Sequence, residues 1–411
     1  VRRGRQAIPS GALALLLLGL TPSASAAWPP GAEVFAELGL GGMRGITLGP
    51  IENARHPGKG YGTEASYRAL TEAQQMGATW VSITPFGRVW DLRADGVDLS
   101  FEAPFEDNRK AVLAVIDQAH ALGLKVFVVP HLWVESGGWR ALIDPGSPAG
   151  WQRWARSYRR FLLAWAEVAR DGGAEMLSIG VELRSWVTTE HVSLLRPIVA
   201  EVRALYPGLL TYSANWDDLD DTLVWDDLDL IGVNAFYPLA FRDGASQAEL
   251  IEGGQRVASG LAKTAATWRR PVVLTEVGYT TRRDPAVRPW EWPDGMKNVV
   301  VDEKAQAEAY VGILAPMLDA RFCAGWFVWR MYADPDDASQ EAEWGFSPRG
   351  KLAELVLRDA FTAPWAADGP RLPGESLGRH RARTPGVHGW ELSPDAEDAW
   401  GLLSLRARGR E

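Results

Sequence analysis

One cysteine, Cys323, stands alone in 411 residues. A lone thiol excludes an internal disulfide framework and any zinc site built on cysteine. Histidine is scarce too. The six residues, at positions 56, 120, 131, 191, 380 and 388, include no two at ligand spacing, so no metal is expected. Positive charge is in deficit: 43 Lys and Arg against 52 Asp and Glu leave a net charge of −9, without the basic footprint of a nucleic-acid binder. The apolar run GALALLLLGL, 11–20, is shorter than the roughly 20 residues that cross a bilayer. No repeat of solenoid period recurs, and no phosphate-cradling glycine fingerprint follows the first apolar segment.

What is abundant points to a packed globular domain. Hydrophobic residues make up 46% and aromatics 10%, too much for a disordered chain. Twenty tryptophans are present. A tryptophan serves equally as core or as a stacking surface for a sugar ring. At the N-terminus, Arg2, Arg3 and Arg5 precede the short apolar run, and Ala24-Ser25-Ala26 gives an A-x-A cleavage site. Residues 1–26 therefore read as a signal peptide rather than a membrane anchor. The lone Cys323 lies far from this segment, so no thiol is available there for acylation. The mature protein is expected to be secreted or periplasmic, without stable membrane association.

Beyond residue 43 the chain alternates between short apolar runs and segments of helical period. The runs are GITLG (45–49), WVSITP (80–85), KVFVVPHLW (125–133), MLSIGVE (176–182), LLTYSAN (209–215), LDLIGVNAFY (228–237), PVVLTEVGY (271–279) and GWFVWRMY (325–332). Between them lie helical stretches at 65–78, 107–123, 150–170, 189–205, 246–268 and 302–319, and KLAELVLRDAF (351–361) closes the series. Asp107 is a candidate N-cap, with Val112, Val115, Ile116, Ala119 and Leu122 on one face. Pro197 is expected to kink its helix. Continuous apolar runs, rather than alternating ones, mark parallel strands covered on both faces. Eight such units predict a single (β/α)₈ TIM barrel over residues 27–362, with a doubly wound open sheet as the alternative. Residues 363–411, rich in Pro, Gly and Arg, read as an extended or disordered tail.

In such a barrel the strand ends and the loops after them build the active site. Two runs end in a carboxylate, Glu182 and Glu276, and an ionised glutamate at the end of a buried strand is costly unless it is paired or used. Around them the strand ends offer His131 and Trp133, Asn215 and Trp216, Asn234 and Tyr237, and Trp329. Arg184 and Trp186 follow Glu182, and Tyr279 follows Glu276. Paired carboxylates across a pocket are the machinery of glycoside hydrolysis: one protonates the leaving oxygen, the other attacks the anomeric carbon or activates water. A structural ion pair, of Glu276 with Arg282 or Arg184, is the competing reading of either glutamate alone. Trp290 and Trp292, in RPWEWP, are as compatible with packing as with binding.

Glutamates at the ends of strands four and seven resemble the signature of the large retaining (β/α)₈ glycosidase clan. Within it, ITLGP, IGVELRSW, LTEVGYTT, RPWEWP (288–293) and FSPRGK (346–351) resemble glycoside hydrolase family 113, over roughly residues 43–360. That resemblance implies an endo-β-1,4-mannanase-like activity on a polysaccharide or oligosaccharide, with no cofactor. A β-glucanase, an exo-β-mannosidase or a non-catalytic glycan-binding barrel are the alternatives. It also implies that Glu182 is the acid/base and Glu276 the nucleophile, ionised at rest while Glu182 is protonated. Tyr237 would bond the nucleophile, and Trp329 would lie under the cleaved sugar. Where most of the clan has an Asn before the acid/base that contacts the sugar's 2-hydroxyl, this chain has Val181, so that contact is expected to be missing or supplied by Asn215 or Asn234.

Overall fold

The computed structural model describes residues 42–50, 57–337 and 341–365, with the backbone of two short segments nearer the C-terminus. Eight parallel strands close into a barrel: β1 Met43–Gly49, β2 Trp80–Ile83, β3 Lys125–Val128, β4 Met176–Val181, β5 Leu209–Asn215, β6 Ile231–Asn234, β7 Val272–Val277 and β8 Cys323–Tyr332. Each strand pairs with its sequence neighbours, and β8 pairs with β1 to close the ring. Outside run α1 Glu64–Gln75, α2 Phe105–Ala121, α3 Pro148–Asp171, α4 Arg196–Leu205, α5 Gln247–Trp268, α6 Glu303–Leu318 and α7 Leu352–Thr362. Between β5 and β6 there is no α-helix, only two 3₁₀ turns, Leu219–Asp221 and Trp225–Asp227. The architecture is the (β/α)₈ barrel that the alternation of segments predicts.

Side-chain chemistry at the helix starts is legible. Thr63, Ser147 and Asp302 each accept a bond from a backbone N–H in the first turn, and Ser246 and Glu249 form a reciprocal capping box. Three expectations need correction. Asp107 does not cap α2, which starts at Phe105 after Pro104; its carboxylate sits in the first turn, where the helix dipole favours it. Pro197 does not kink a long helix. It occupies the first turn of α4, where a missing N–H costs nothing, and the preceding Glu190–Leu194 segment is 3₁₀. The third barrel strand ends at Val128. After Pro130 the chain resumes as His131–Val134, paired in parallel with Phe86–Val89 in a small ladder over the mouth.

The barrel interior is filled by a separate apolar cluster: Met43, Trp80, Phe127, Val129, Met176, Val181, Leu209, Leu230, Val273, Ala324 and Phe327. Phe327 occupies its centre, with Phe127 at 5.0 Å and Trp80 edge-on at 6.2 Å. Gly45 makes room for it: a Cβ there would lie 2.3 Å from the Phe327 ring. Above this plug the inward positions become hydroxyls. Ser82 meets Thr47 at 2.7 Å, and Ser178 meets Ser213 at 3.1 Å. Cys323 is buried, as its apolar surroundings imply. On the outside, Trp365 stacks on Trp326 at 3.8 Å, so packing of the domain runs past residue 362.

The segment read as a signal peptide lies outside the described residues. Of the C-terminal tail, Trp390–Leu392 pairs antiparallel with Leu405–Ala407, and most of the remainder is outside the description.

The Gly45–Phe327 contact generates a stability test. Gly45→Ala overpacks the interior and should cost about 1–3 kcal/mol in chemical denaturation. Adding Phe327→Leu to Gly45→Ala should recover part of that loss. Two additive destabilisations would show that the ring does not set the size limit at residue 45.

Candidate active site

Inward-facing positions follow strand alternation up to the mouth. On β5 the inward series is Leu209, Thr211, Ser213 and Asn215, and on β6 it is Leu230, Gly232 and Asn234. On β8 it runs Phe327 to Trp329, and from β3 it runs Phe127, Val129, His131. The two glutamates break the pattern. Val273 is inward and Leu274 outward, so simple alternation would turn Glu276 out. Pairing slips at this point, because Val233 and Asn234 on β6 face Leu274 and Glu276 on β7. One extra residue in β7 re-aims the side chain, as bulges do beside active sites. On β4 the pairing also slips, between Ser178 and Val181. Val181 then fills the interior cluster, and Glu182 takes a left-handed backbone with φ 50°. That conformation costs a β-carbon-bearing residue on the order of 1–3 kcal/mol. The Glu182 N–H is fixed by donating to the Ser213 carbonyl at 2.9 Å.

Both carboxyls are buried, Glu182 to 8% exposure and Glu276 to 6%. Asn234 joins them. Its Nδ2 donates to Glu182 Oε1 at 3.0 Å and lies close enough to Glu276 to favour the ionised form there, while its Oδ1 accepts from Thr275 Oγ1 at 2.9 Å. The second Glu182 oxygen, Oε2, accepts from Trp139 Nε1 at 2.8 Å and lies 3.7 Å from the Arg140 guanidinium. Glu182 is thus surrounded by donors. Glu276 is not. Its Oε1 lies 3.3 Å from Nε2 of His131. His131 Nδ1 lies 2.8 Å from the Val129 carbonyl oxygen, which can only accept, so Nδ1 carries a hydrogen. Burial, with the Arg140 charge adding, lowers the imidazole pKa to about 3, so the ring is neutral and Nε2 bears a lone pair. The contact then requires the hydrogen to come from Glu276. Burial raises the Glu276 carboxyl well above its ordinary range, and the Glu182 charge adds to the rise, while Arg140, Arg330 and Asn234 oppose it. The His131 contact and the raised Glu276 carboxyl both favour a proton on Glu276, whereas the resemblance implies that Glu276 rests ionised.

The other expected site residues divide. Trp329 is buried against His131, with ring centroids 6.1 Å apart, and clusters with Phe236 and Phe346, which Trp216 flanks. Asn215 faces inward but donates its amide to Asp217 Oδ1 at 2.5 Å, whereas the Asn234 amide donates to Glu182. Tyr237 does not reach Glu276. It packs edge-on to Trp216 at 5.6 Å among Asp217, Asp218 and Asp220, and the neighbouring Phe236 faces the pocket cluster instead. The orienting partners of Glu276 are His131 and Asn234. Trp133 is 51% exposed beside Phe86 and Phe101, one ring beyond His131. Trp216 stacks on Trp290 at 5.3 Å. Trp186 is core, donating to the His191 carbonyl. Arg184 pairs with Asp217 and Asp218, and Arg282 with Glu291, so neither is the ion-pair partner of Glu276.

Sequence reasoning missed Trp139, Arg140 and Arg330. Trp139 and Arg140 follow Gly137 and Gly138, both at positive φ, in the loop after β3. That glycine pair before Trp-Arg in a mouth loop was the available signal. Arg330 lies over the Trp329 ring at 5.0 Å and over Trp292 at 5.1 Å. Arg140 Nε, Trp329 Nε1 and Arg330 Nε are buried donors with no acceptor among the described residues. Three such donors around two carboxyls leave room for a ligand rich in oxygen acceptors. Among the described residues no group of three His, Cys, Asp or Glu is placed to hold a metal ion.

The raised Glu276 carboxyl has a stability consequence. A raised carboxyl pKa in the fold means the native state holds a proton that the unfolded chain has released. Stability then falls as pH rises above the unfolded carboxyl value, roughly 4.3. Glu276→Gln removes that loss. The variant should melt higher than the wild type at pH 8, and the difference should close near pH 4. In ¹⁵N spectra of the free protein, His131 should show the Nδ1–H neutral tautomer. Equal melting of variant and wild type at both pH values would place the proton elsewhere.

The sequence profile described as Glycoside Hydrolase Family 113 matches residues 54–351. A comparison with curated proteins finds no match. Among solved structures, the family 113 β-mannanase of Alicyclobacillus acidocaldarius, in complex with ManMIm, is 26% identical, with a TM-score of 0.67 over 78% of this chain and 97% of that one. A further family 113 β-1,4-mannanase complex is 24% identical, with a TM-score of 0.67 over 79% of this chain and 100% of that one. A family 5 mannosidase from Rhizomucor miehei shares the fold at 15% identity, with a TM-score of 0.52 over 78% of this chain and 92% of that one. With the family profile spanning most of the barrel, and two buried carboxyls at the ends of its fourth and seventh strands, this chain belongs to glycoside hydrolase family 113.

Proposed function

We propose that the protein hydrolyses a β-linked mannan, within the chain, with retention of anomeric configuration. Glu276 is the nucleophile and Glu182 the acid/base. The observation that carries this reading is the pair of buried carboxyls at the mouth of the barrel, Glu182 bonded to the Asn234 amide and Glu276 paired beside Asn234 on the next strand and in contact with His131. Retention is the outcome the family implies for such a pair. Retaining pairs are separated by about 5–5.5 Å, and inverting pairs by roughly 6.5–9.5 Å, to admit a water. The choice of mannan rests on the family and on the 26%-identical β-mannanase.

The surroundings support a polymeric sugar. The tryptophans exposed among the described residues, Trp90, Trp133, Trp290 and Trp292, all lie on loops that follow barrel strands at the mouth. Trp329 forms a buried wall beside His131, and the unpartnered donors of Arg140, Trp329 and Arg330 suit sugar hydroxyls and ring oxygens.

The chemistry follows from the proton count. Before attack, the proton that rests on Glu276 must pass to Glu182. A glycosidic oxygen placed against Glu182 offers an acceptor that only a protonated carboxyl satisfies, so substrate draws the proton across. Arg140, Arg330 and Asn234 then stabilise ionised Glu276. The Glu276 carboxylate attacks the anomeric carbon as Glu182 protonates the departing oxygen. Glu182, now ionised, takes a proton from water, which breaks the glycosyl ester and returns Glu276.

Glu276→Ala should abolish turnover of β-mannan, with azide restoring an azide product of inverted configuration. Glu182→Ala should keep its glycosylation step on aryl mannosides with good leaving groups, and azide should then give a product of retained configuration. The opposite pattern would exchange the two roles; full activity of both variants on mannan would remove the site from the reaction. From the sequence we also propose export. Protein recovered from a secreting host should begin at Ala27, and an unprocessed N-terminus would refute this.

A further inference from the structure

A second feature of the mouth differs in charge from the rest of the molecule. The loop joining β7 to α6 folds around a cavity of about 630 Å³, lined among the described side chains by Arg282, Arg283, Arg288 and Lys297 with one carboxylate, Glu291. Glu291 is already committed, accepting from Arg282 Nη1 at 2.5 Å and pairing with Arg288 Nε at 2.9 Å. Arg282 also donates to the Arg288 carbonyl, and its buried Nε has no acceptor. Arg283 and Lys297 have no side-chain acceptor among the described residues. Among the described side chains four cations stand against one anion, a local excess of positive charge on a chain of net charge −9.

The cavity adjoins the candidate active site through Trp292, which is one of its walls. The Trp292 ring lies 5.7 Å from Phe346 and beneath the Arg330 guanidinium at 5.1 Å, and Phe346 belongs to the cluster that holds Trp329. A sugar chain crossing Trp329 would thus pass beside the cationic cavity. We infer that this cavity binds a carboxylate carried on the glycan, so that the preferred substrate bears acidic branches such as uronic acid. The inference rests on the glycosidase reading above. Arg282 is held in place by Glu291, whereas Arg283 and Lys297 are free to pair with the incoming carboxylate. A charge-assisted bond of this kind is worth about a factor of ten in binding.

The test compares a manno-oligosaccharide carrying a glucuronate branch with its unbranched counterpart. For the wild type, KM should be about tenfold lower on the branched substrate, and the gap should close in about 0.5 M salt. In Arg283→Ala/Lys297→Ala the gap should vanish, with kcat/KM on the unbranched substrate unchanged. A wild type indifferent to the branch, or a gap that survives in the double variant, overturns the inference while leaving the glycosidase reading intact. Calorimetry with sodium glucuronate and with inorganic phosphate adds an independent arm. Glucuronate binding lost in the double variant supports the cavity even where neither oligosaccharide is cleaved, an outcome that instead refutes the proposed function. Phosphate bound more tightly than glucuronate would make this a site for a free anion and overturn the glycan-borne ligand.

Discussion

Two carboxyl groups held out of water in one pocket constrain everything around them. Neither can be ionised cheaply in isolation, and both together repel. The pocket answers with unequal surroundings. Trp139, Asn234 and Arg140 direct hydrogens or positive charge at Glu182, while His131 presents a lone pair to Glu276. That asymmetry gives the two groups chemically different surroundings. Paired groups with environments of opposite tendency are the usual basis for dividing acid and nucleophile roles. Here burial and the His131 contact favour the protonated form of Glu276.

The barrel supplies this arrangement at a local cost in regularity. A regular β7 would point Glu276 outward with Leu274; on β4 the slip after Ser178 turns Val181 inward, and the left-handed backbone at Glu182 brings the next side chain back to the pocket. One slipped pairing in each strand, and a left-handed backbone at Glu182, turn both carboxyls to the axis. These irregularities are held by what lies beneath. The Phe327 plug and the hydroxyl layer of Thr47, Ser82, Ser178 and Ser213 form a floor that keeps the strand ends in register. The rigid lower barrel and the strained upper rim are parts of one design: strain is sustained where the surrounding structure over-determines it.

The loops above the rim carry the variation. The small ladder of Phe86–Val89 with His131–Val134 brings His131 down to Glu276 while leaving Trp133 at the surface. The loop after β7 places aromatic rings over the pocket and gathers cations around a cavity at its edge. Substrate selection on this fold belongs to such loops, because they change without disturbing the floor.

Much of this was present in the sequence. Eight continuous apolar runs separated by helical periods define a parallel barrel, because strands buried on both faces leave no polar alternation. Glu182 and Glu276 stood out because an apolar run has no other reason to end in a carboxylate. His131, Asn234 and Trp329 followed from their places at strand ends. What the sequence left undetermined is where those side chains point and what meets them. Tyr237 and Phe236 are neighbours in the chain, and only the path after β6 turned Phe236, rather than the tyrosine, to the pocket. Asn215 and Asn234 both stand at strand ends, and only the fold gave the amide of one to Asp217 and that of the other to Glu182. Trp139 and Arg140 come from a loop whose course depends on long-range packing, which no local pattern encodes. The resting place of the proton was the least accessible of all. It depends on burial and on the Val129 carbonyl that fixes the imidazole tautomer, and both exist only once distant segments have been brought together.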